Sequence, residues 1–160
     1  MVSYGTNESI CRLVETYSDM LLRLASSRLP NVMDAEDAVQ EVFLSLVRRG
    51  ATFENEDHER AWLVRATLHR AADIRRRKRN AEIPLEEAPE IGVSDETGPE
   101  LLDAVRALPE KYAAVIFLFY YEDCSLRECA RLLGVSERAA GTRLHRARQL
   151  LKEALKEDFQ

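Results

Sequence analysis

Residues 125–148 read SLRECARLLGVSERAAGTRLHRAR. Ser125 followed three positions later by Glu128 is a capping box, in which each side chain satisfies a backbone N–H near the other. Gly134 ends the short helix begun there, because glycine readily takes the left-handed conformation that closes helices. Ser136 can cap a longer helix with Ala140, Leu144, Ala147, Leu151 and Ala154 facing inward. Two helices joined by the short "LGVS" corner are the arrangement of a helix-turn-helix. Small Ala130, four residues before Gly134, suits the close contact and tight turn that such a motif needs. The second helix presents Arg138, Thr142, His145, Gln149 and Lys152 outward, with Arg143, Arg146 and Arg148 flanking. Such a helix enters the major groove with its N-terminal residues at base edges. The same three-helix arrangement also serves protein-binding domains.

Upstream, "ELLDAVRAL" before Pro109 and the apolar-rich "KYAAVIFLFYYED" complete this helical unit. The other end of the chain is helical too, with no sustained alternation of period two. Ile10, Leu13, Val14, Tyr17, Leu21 and Leu24 recur at helical spacing until Pro30 stops them. Asp34 is placed to cap a second helix with Ala35, Ala38, Val39, Val42, Phe43 and Leu46 as its apolar stripe, ended by Gly50. A third helix is expected from about His58 towards Lys78. Leu63, Val64, Thr67, Leu68, Ala71 and Ile74 share one arc of it, and Trp62, Arg65, His69, Arg70, Arg76 and Arg77 the other.

Charge is distributed unevenly. The 160-residue chain carries net −5, yet residues 1–80 and 101–160 are each net +1. Residues 81–100 hold seven carboxylates and no basic residue, so the acidity belongs to this stretch. Pro84, Pro89, Gly92, Gly98 and Pro99 mark it as an extended linker. Residues 60–79 carry net +7, with Arg75, Arg76, Arg77, Lys78 and Arg79 in a row. That density either solvates a helix end or neutralises phosphates, each phosphate contact releasing a counterion. Trp62 among those arginines is either a core aromatic or a platform for stacking an unpaired base. On the second helix Asp34, Glu36 and Asp37 suit a helix N-terminus. Gln40 and Glu41 extend the acidic face past the first turn, as a docking surface for a basic partner requires.

Other classes find no support. No run of 18 apolar residues suggests a membrane span, and the N-terminus lacks the basic and apolar regions of a signal peptide. Cys11, Cys124 and Cys129 show no metal-binding spacing, and each lies beside apolar positions, so all three are expected as buried reduced thiols. His58, His69 and His145 fall in different elements, and there is no glycine-rich phosphate loop. The expectation is a cytoplasmic binding protein, not an enzyme, with no cofactor and no metal.

Three stretches in order, "RLPNVMDAEDAVQEVFLSLVRR", "AWLVRATLHRAADIRRRKR" and "LPEKYAAVIFLFYYEDCSLRECARLLGVSERAAGTRLHRAR", resemble the extracytoplasmic-function (group IV) sigma factors of bacterial RNA polymerase. The resemblance implies an all-α chain of two small helical domains: sigma region 2 over 1–80, an acidic linker over 81–99, and the region 4 helix-turn-helix over 100–160. It implies docking on the clamp helices of the largest polymerase subunit through Asp34, Asp37, Gln40, Glu41 and Phe43, with region 4 on the flap of the second-largest. It implies opening and reading of the −10 element by Trp62, Arg65, His69, Arg70, Arg75, Arg76, Arg77, Lys78 and Arg79. Ser136, Arg138, Thr142, Arg143, His145, Arg146 and Arg148 are implied as readers of the −35 element. The linker is implied to thread polymerase surfaces near the RNA path, and an anti-sigma factor is an implied partner beside promoter DNA. Two departures stand out. His69 occupies a position where the family usually has Asn, which implies a different −10 preference, and Gly141 one where a Val-Lys pair is common, which implies −35 contacts that are either fewer or carried by Arg138 and His145. Two other classes stay open: a helix-turn-helix regulator acting without polymerase, and an interaction module that sequesters polymerase or an anti-sigma factor.

Overall fold

The structure, a computed structural model, describes residues 2–3, 7–50, 52–81 and 99–158. The acidic stretch 82–98, with its expected extended conformation, lies outside these residues. Seven α-helices account for almost all of the described chain: α1 (Asn7–Ser26), α2 (Val32–Arg49), α3 (Glu56–Asn80), α4 (Pro99–Ala107), α5 (Glu110–Ile116), α6 (Leu126–Leu133) and α7 (Glu137–Asp158). The all-α expectation holds, with one small addition. Two-residue strands β1 (Val2–Ser3) and β2 (Thr52–Phe53) pair antiparallel, Val2 opposite Phe53.

Helices α1, α2 and α3 pack on one another through the apolar arcs that their spacing defines. Leu13, Leu21 and Leu24 of α1 meet Ala35, Ala38, Val42 and Leu46 of α2 and Leu63, Val64 and Ala71 of α3, all buried. Val14 lies on the exposed rim, and Cys11 is exposed as well, one helical face away from the core. The buried-thiol expectation therefore fails for Cys11 and holds for Cys124 and Cys129. The cap of α2 is Asn31, not Asp34: its side-chain oxygen accepts from the N–H groups of Met33 and Asp34 at 2.9 and 3.2 Å. Pro30 sets the chain direction one residue earlier, so Asp34 falls within the first turn. Asn55 caps α3 by accepting from His58 N–H at 2.9 Å, which starts that helix two residues ahead of His58.

In the other half, α5 runs without a break into a π-helical turn, Phe117–Tyr121, closed by Glu122 N–H donating to the Phe117 carbonyl at 3.3 Å. Asp123, at φ +52°, then reverses the chain into α6. Both sides of the Ser125–Glu128 capping box are formed, at 3.1 and 3.2 Å. Gly134, at φ +70°, closes α6, with Val135 N–H donating to Ala130 O at 3.0 Å. Ser136 accepts from Ala139 N–H at 3.0 Å and starts α7. Ala140, Leu144 and Ala147 are buried against α5 and α6, while Leu151 and Ala154 are partly buried.

Gly141 belongs to this packing. A Cβ there would stand 3.4 Å from the Leu126 Cδ2 methyl of α6. The position faces the neighbouring helix, so a missing side chain at 141 removes nothing from the outward face of α7. A methyl fits at van der Waals distance, and glycine inside a helix costs about 1 kcal/mol relative to alanine. Gly141→Ala is expected to raise unfolding free energy by about 0.5–1 kcal/mol in urea titration. A loss of stability would mean that the two helices already touch there.

Candidate nucleic-acid interface

The proposed −35 residues come together. Ser136, Arg138, Thr142, Arg143, His145 and Arg146 line one side of an open groove of about 710 Å³ along the first turns of α7, with Gln149 beside them. Lys111 and Tyr112 of α5 form the other side, the Lys111 ammonium 4.9 Å from the Tyr112 ring centre. Arg138, Thr142, His145 and Arg146 are exposed, and Arg143 is half-buried. Arg148 stands apart: its Nε donates to the Tyr120 hydroxyl at 2.6 Å, and its guanidinium lies 5.5 Å from the Phe119 and Tyr120 rings. The π turn that presents these rings fixes Arg148 at the groove's edge. Lys111 was not singled out from sequence, because only the approach of α5 to α7 brings it to the groove.

The proposed −10 residues divide into two groups. Trp62, Arg65, His69 and Arg70 line a groove of about 540 Å³ between α3 and α2, completed by Glu41, Ser45, Arg49 and His58. Trp62 is neither fully buried nor fully exposed. It is partly buried, its ring tilted 55° against Phe53 at 5.7 Å, with one side open to the groove. His69 is exposed. The second group, Arg75, Arg76 and Arg79, lines a groove of about 530 Å³ with Arg28 and the α4–α5 corner at Ala107–Glu110. Arg76 pairs with Asp73, and Lys78 with Asp34 of α2. Arg77 and Arg79 are exposed.

The proposed docking residues of α2 also divide. Asp37 and Gln40 are exposed, Glu41 turns into the Trp62 groove and pairs with Arg48 at 3.2 Å, and Phe43 packs against the core. Asp34 is held by Lys78. Asp37 and Gln40 share their face with exposed Met33, Leu44 and Val47. At about 100° per residue these five positions fall within roughly 80° of arc. The outward stripe of α2 is thus apolar at both ends and polar between, with one carboxylate. Its spacing was readable in the sequence, where attention to charge alone passed over it.

Between the halves runs a seam built from arginines. Arg65 donates from Nε to Leu132 O at 3.0 Å and from Nη2 to Arg131 O at 2.8 Å, the last carbonyls of α6. It reaches them because Gly134 has no Cβ; one placed there would lie 3.0 Å from Arg65 Cζ. Arg28, 2% exposed, donates to Val105, Arg106 and Leu108 carbonyls at 3.3 Å each, where α4 ends. In return Arg106 donates to Ser26 O at 3.0 Å, where α1 ends, and within the first half Arg75 donates to Arg28 O and steadies it at the seam. Helix C-termini leave carbonyls unpaired and carry partial negative charge, so a guanidinium answers both needs. Arg23 adds a two-pronged pair with Glu122 at 2.8 and 3.2 Å. Burial, reinforced by the Arg75 charge, pulls the Arg28 pKa down to about 10, still far enough above neutral to keep the cation. Arg65 and Arg75, read from sequence as phosphate contacts, are engaged in this seam.

Comparison with known proteins bears on what these surfaces are for. A family model described as sigma-70 region 2 matches residues 13–81, and one described as sigma-70, region 4 matches residues 99–151. The RNA polymerase sigma-E factor of Streptomyces coelicolor is 31% identical over 147 residues, covering 89% of this chain and 83% of that protein. The ECF RNA polymerase sigma factor SigW of Bacillus subtilis is 28% identical, covering 98% of this chain and 94% of that protein. Among solved structures, CnrH in complex with the cytosolic domain of CnrY matches with a TM-score of 0.73 and 27% identity over 96% of this chain and 92% of that one. The sigma factor RpoE from Bartonella quintana, bound to the anti-sigma factor NepR, shares the fold at a TM-score of 0.71 and 21% identity, over 93% of this chain and 98% of that one.

Arg28→Met replaces the guanidinium with apolar volume and leaves the carbonyls at the end of α4 without donors. The expected loss of unfolding free energy is about 3 kcal/mol. Exposed Arg77→Met should change it by less than about 0.5 kcal/mol. Equal effects of the two substitutions in denaturant titrations would contradict the seam.

Proposed function

This chain belongs to the sigma-70 family, among its extracytoplasmic-function members, and we propose that it directs bacterial RNA polymerase core to specific promoters in the cytoplasm. One observation carries the reading beyond membership. The same chain presents two separate cationic grooves and, on α2, an exposed face of Met33, Asp37, Gln40, Leu44 and Val47. A regulator binding DNA alone has use for the grooves and none for that face. On this reading the chain is the specificity subunit of an enzyme and not itself a catalyst.

The geometry supports the following division of labour. The groove on α7 reads the −35 element in duplex form, with Arg138, Thr142 and His145 towards base edges and Arg143 and Arg146 towards phosphates. The groove between α2 and α3 receives the −10 element once it is unpaired. Trp62 offers its open ring side to a base, a contact worth about 1–3 kcal/mol. His69, two helical turns along the same face, donates to a base edge. Arg76 and Arg79 already face solvent, whereas Arg28 and Arg65 give up their carbonyl partners to phosphate when the halves part, so binding to polymerase and DNA competes with the seam. The α2 face docks on the clamp helices, region 4 lies on the flap, and the acidic residues 81–99 follow surfaces that hold RNA. CnrH is seen with the cytosolic domain of CnrY, and a similar anti-sigma partner is proposed here.

The test is transcription with purified core polymerase. The chain should convert nonspecific initiation into initiation at a defined promoter. Tight promoter binding by the chain alone, with no effect on core, would favour the stand-alone regulator. Within that assay, Asp37→Lys combined with Leu44→Glu should weaken core binding about tenfold or more without changing DNA affinity. Trp62→Ala should slow promoter opening about tenfold and leave core affinity unchanged. His69→Ala should relax preference at a single −10 position. Uniform loss across all −10 variants would make His69 a structural residue.

A further inference from the structure

Cys124 and Cys129 lie where the two halves meet. Cys124 precedes the N-cap of α6 by one residue and Cys129 follows it by four. Those are the two positions at which a helix start brings apolar side chains into contact across its first turn. Here both are thiols, both are buried, and the Cys129 Sγ sits 4.0 Å from the Cys124 carbonyl oxygen. The third member comes from the opposite half. Arg60 of α3 places Nη2 3.6 Å from Cys124 Sγ and Nη1 3.8 Å from the Glu128 carboxylate. Its side chain is 30% exposed and stands beside the buried sulfur.

We propose that Cys124 and Cys129 form a dithiol that a peroxide oxidises to a disulfide, and that this oxidation releases Arg60 and loosens the seam between the halves. A hydrogen bond from the Cys129 thiol, with the Arg60 charge, outweighs burial and the Glu128 charge to bring the Cys124 pKa down to about 7. The same hydrogen bond and burial push the Cys129 thiol up, so it is the partner that keeps its proton. The Cys124 thiolate attacks one peroxide oxygen, the O–O bond breaks, and the departing alkoxide or hydroxide takes up a proton. Cys129 then displaces hydroxide from the Cys124 sulfenic acid, and its thiol proton leaves with that hydroxide as water. Two thiols and one peroxide give one disulfide, one alcohol or water, and one water. A neutral disulfide no longer offers Arg60 an anion, which leaves Glu128, among the described residues, as its carboxylate partner across the seam. This chemistry rests on the two thiols and Arg60, and stands whether or not the chain serves polymerase.

The experiment uses the full chain carrying Cys11→Ser, which removes the exposed third thiol, treated with hydrogen peroxide at neutral pH. Expected are the loss of two hydrogens in intact mass, the loss of both titratable thiols, and a 124–129 linkage in peptide mapping. Cys129→Ala in the same background should stop at the sulfenic acid of Cys124. Arg60→Gln should slow disulfide formation roughly fivefold as the thiolate fraction falls. In the oxidised protein the amides of residues 60–66, on the half without these cysteines, should exchange severalfold faster. Retention of both thiols under conditions that oxidise Cys11 in the unsubstituted chain would overturn the site. An unchanged exchange rate in fully oxidised protein would overturn its link to the seam.

Discussion

Helix ends in one half of this molecule are capped by arginines from the other. Arg28 serves the C-terminus of α4, Arg65 that of α6, and Arg106 that of α1. A helix C-terminus must satisfy carbonyls that its own ladder leaves unpaired, by water, by a turn or by a donor from elsewhere. The ends of α1 and α4 are buried and have no water to use. Arginine suits the task better than lysine, because its planar fork reaches two or three carbonyls at once and its charge survives burial. The reciprocity matters as well. Arg28 donates to the end of α4 while Arg106 of α4 donates back to Ser26 O at the end of α1, so the two halves hold each other through a shared set of groups. Removing one partner leaves orphaned carbonyls, which costs more than the net worth of the bond itself.

This constraint gives α3 two competing uses. Its apolar arc, Leu63, Val64, Thr67 and Ala71, is committed to the core whatever the chain binds. Its basic arc is shared between seam and solvent. Arg65 and Arg75 act inside the molecule, Arg77 and Arg79 face outward, and Trp62 and His69 line an open groove. A phosphate anion binds a guanidinium more strongly than a neutral carbonyl does, so on the proposed function promoter binding and separation of the halves favour each other. The α2 face proposed to dock lies outside that competition, since none of Met33, Asp37, Gln40, Leu44 and Val47 takes part in the seam contacts described above. On that proposal, partner recruitment and DNA reading are separable by substitution.

Local chemistry was legible in the sequence to the extent that it was local. The capping box at Ser125 and Glu128, the Gly134 closure and the Ser136 cap depend on residues within a few positions of one another, and all formed as their spacing dictates. The apolar arcs of α2 and α3 were readable for the same reason. Asn31 displaced Asp34 as a cap because Pro30 fixes where the helix begins, a matter of one turn's offset. The π turn at Phe117–Tyr121 has no simple period and was invisible. Gly141 looked like a missing contact from a pattern of surface residues, and packing shows it facing Leu126. The seam could not be read at all: an arginine destined for phosphate and one destined for a distant helix end have identical local surroundings. Only the fold separates Arg65 and Arg75 from Arg77 and Arg79.

The central claim is that one set of arginines closes the free chain and is surrendered when the chain works. Spin labels placed by unnatural amino acids at Asp19 on α1 and Lys152 on α7 would measure the distance between the halves without disturbing the three cysteines. The free protein should give a single short distance distribution. Core polymerase with promoter DNA should replace it with a longer one, and Arg28→Met should populate the longer one in part without any partner. Identical distributions in the free and promoter-bound states would contradict the account.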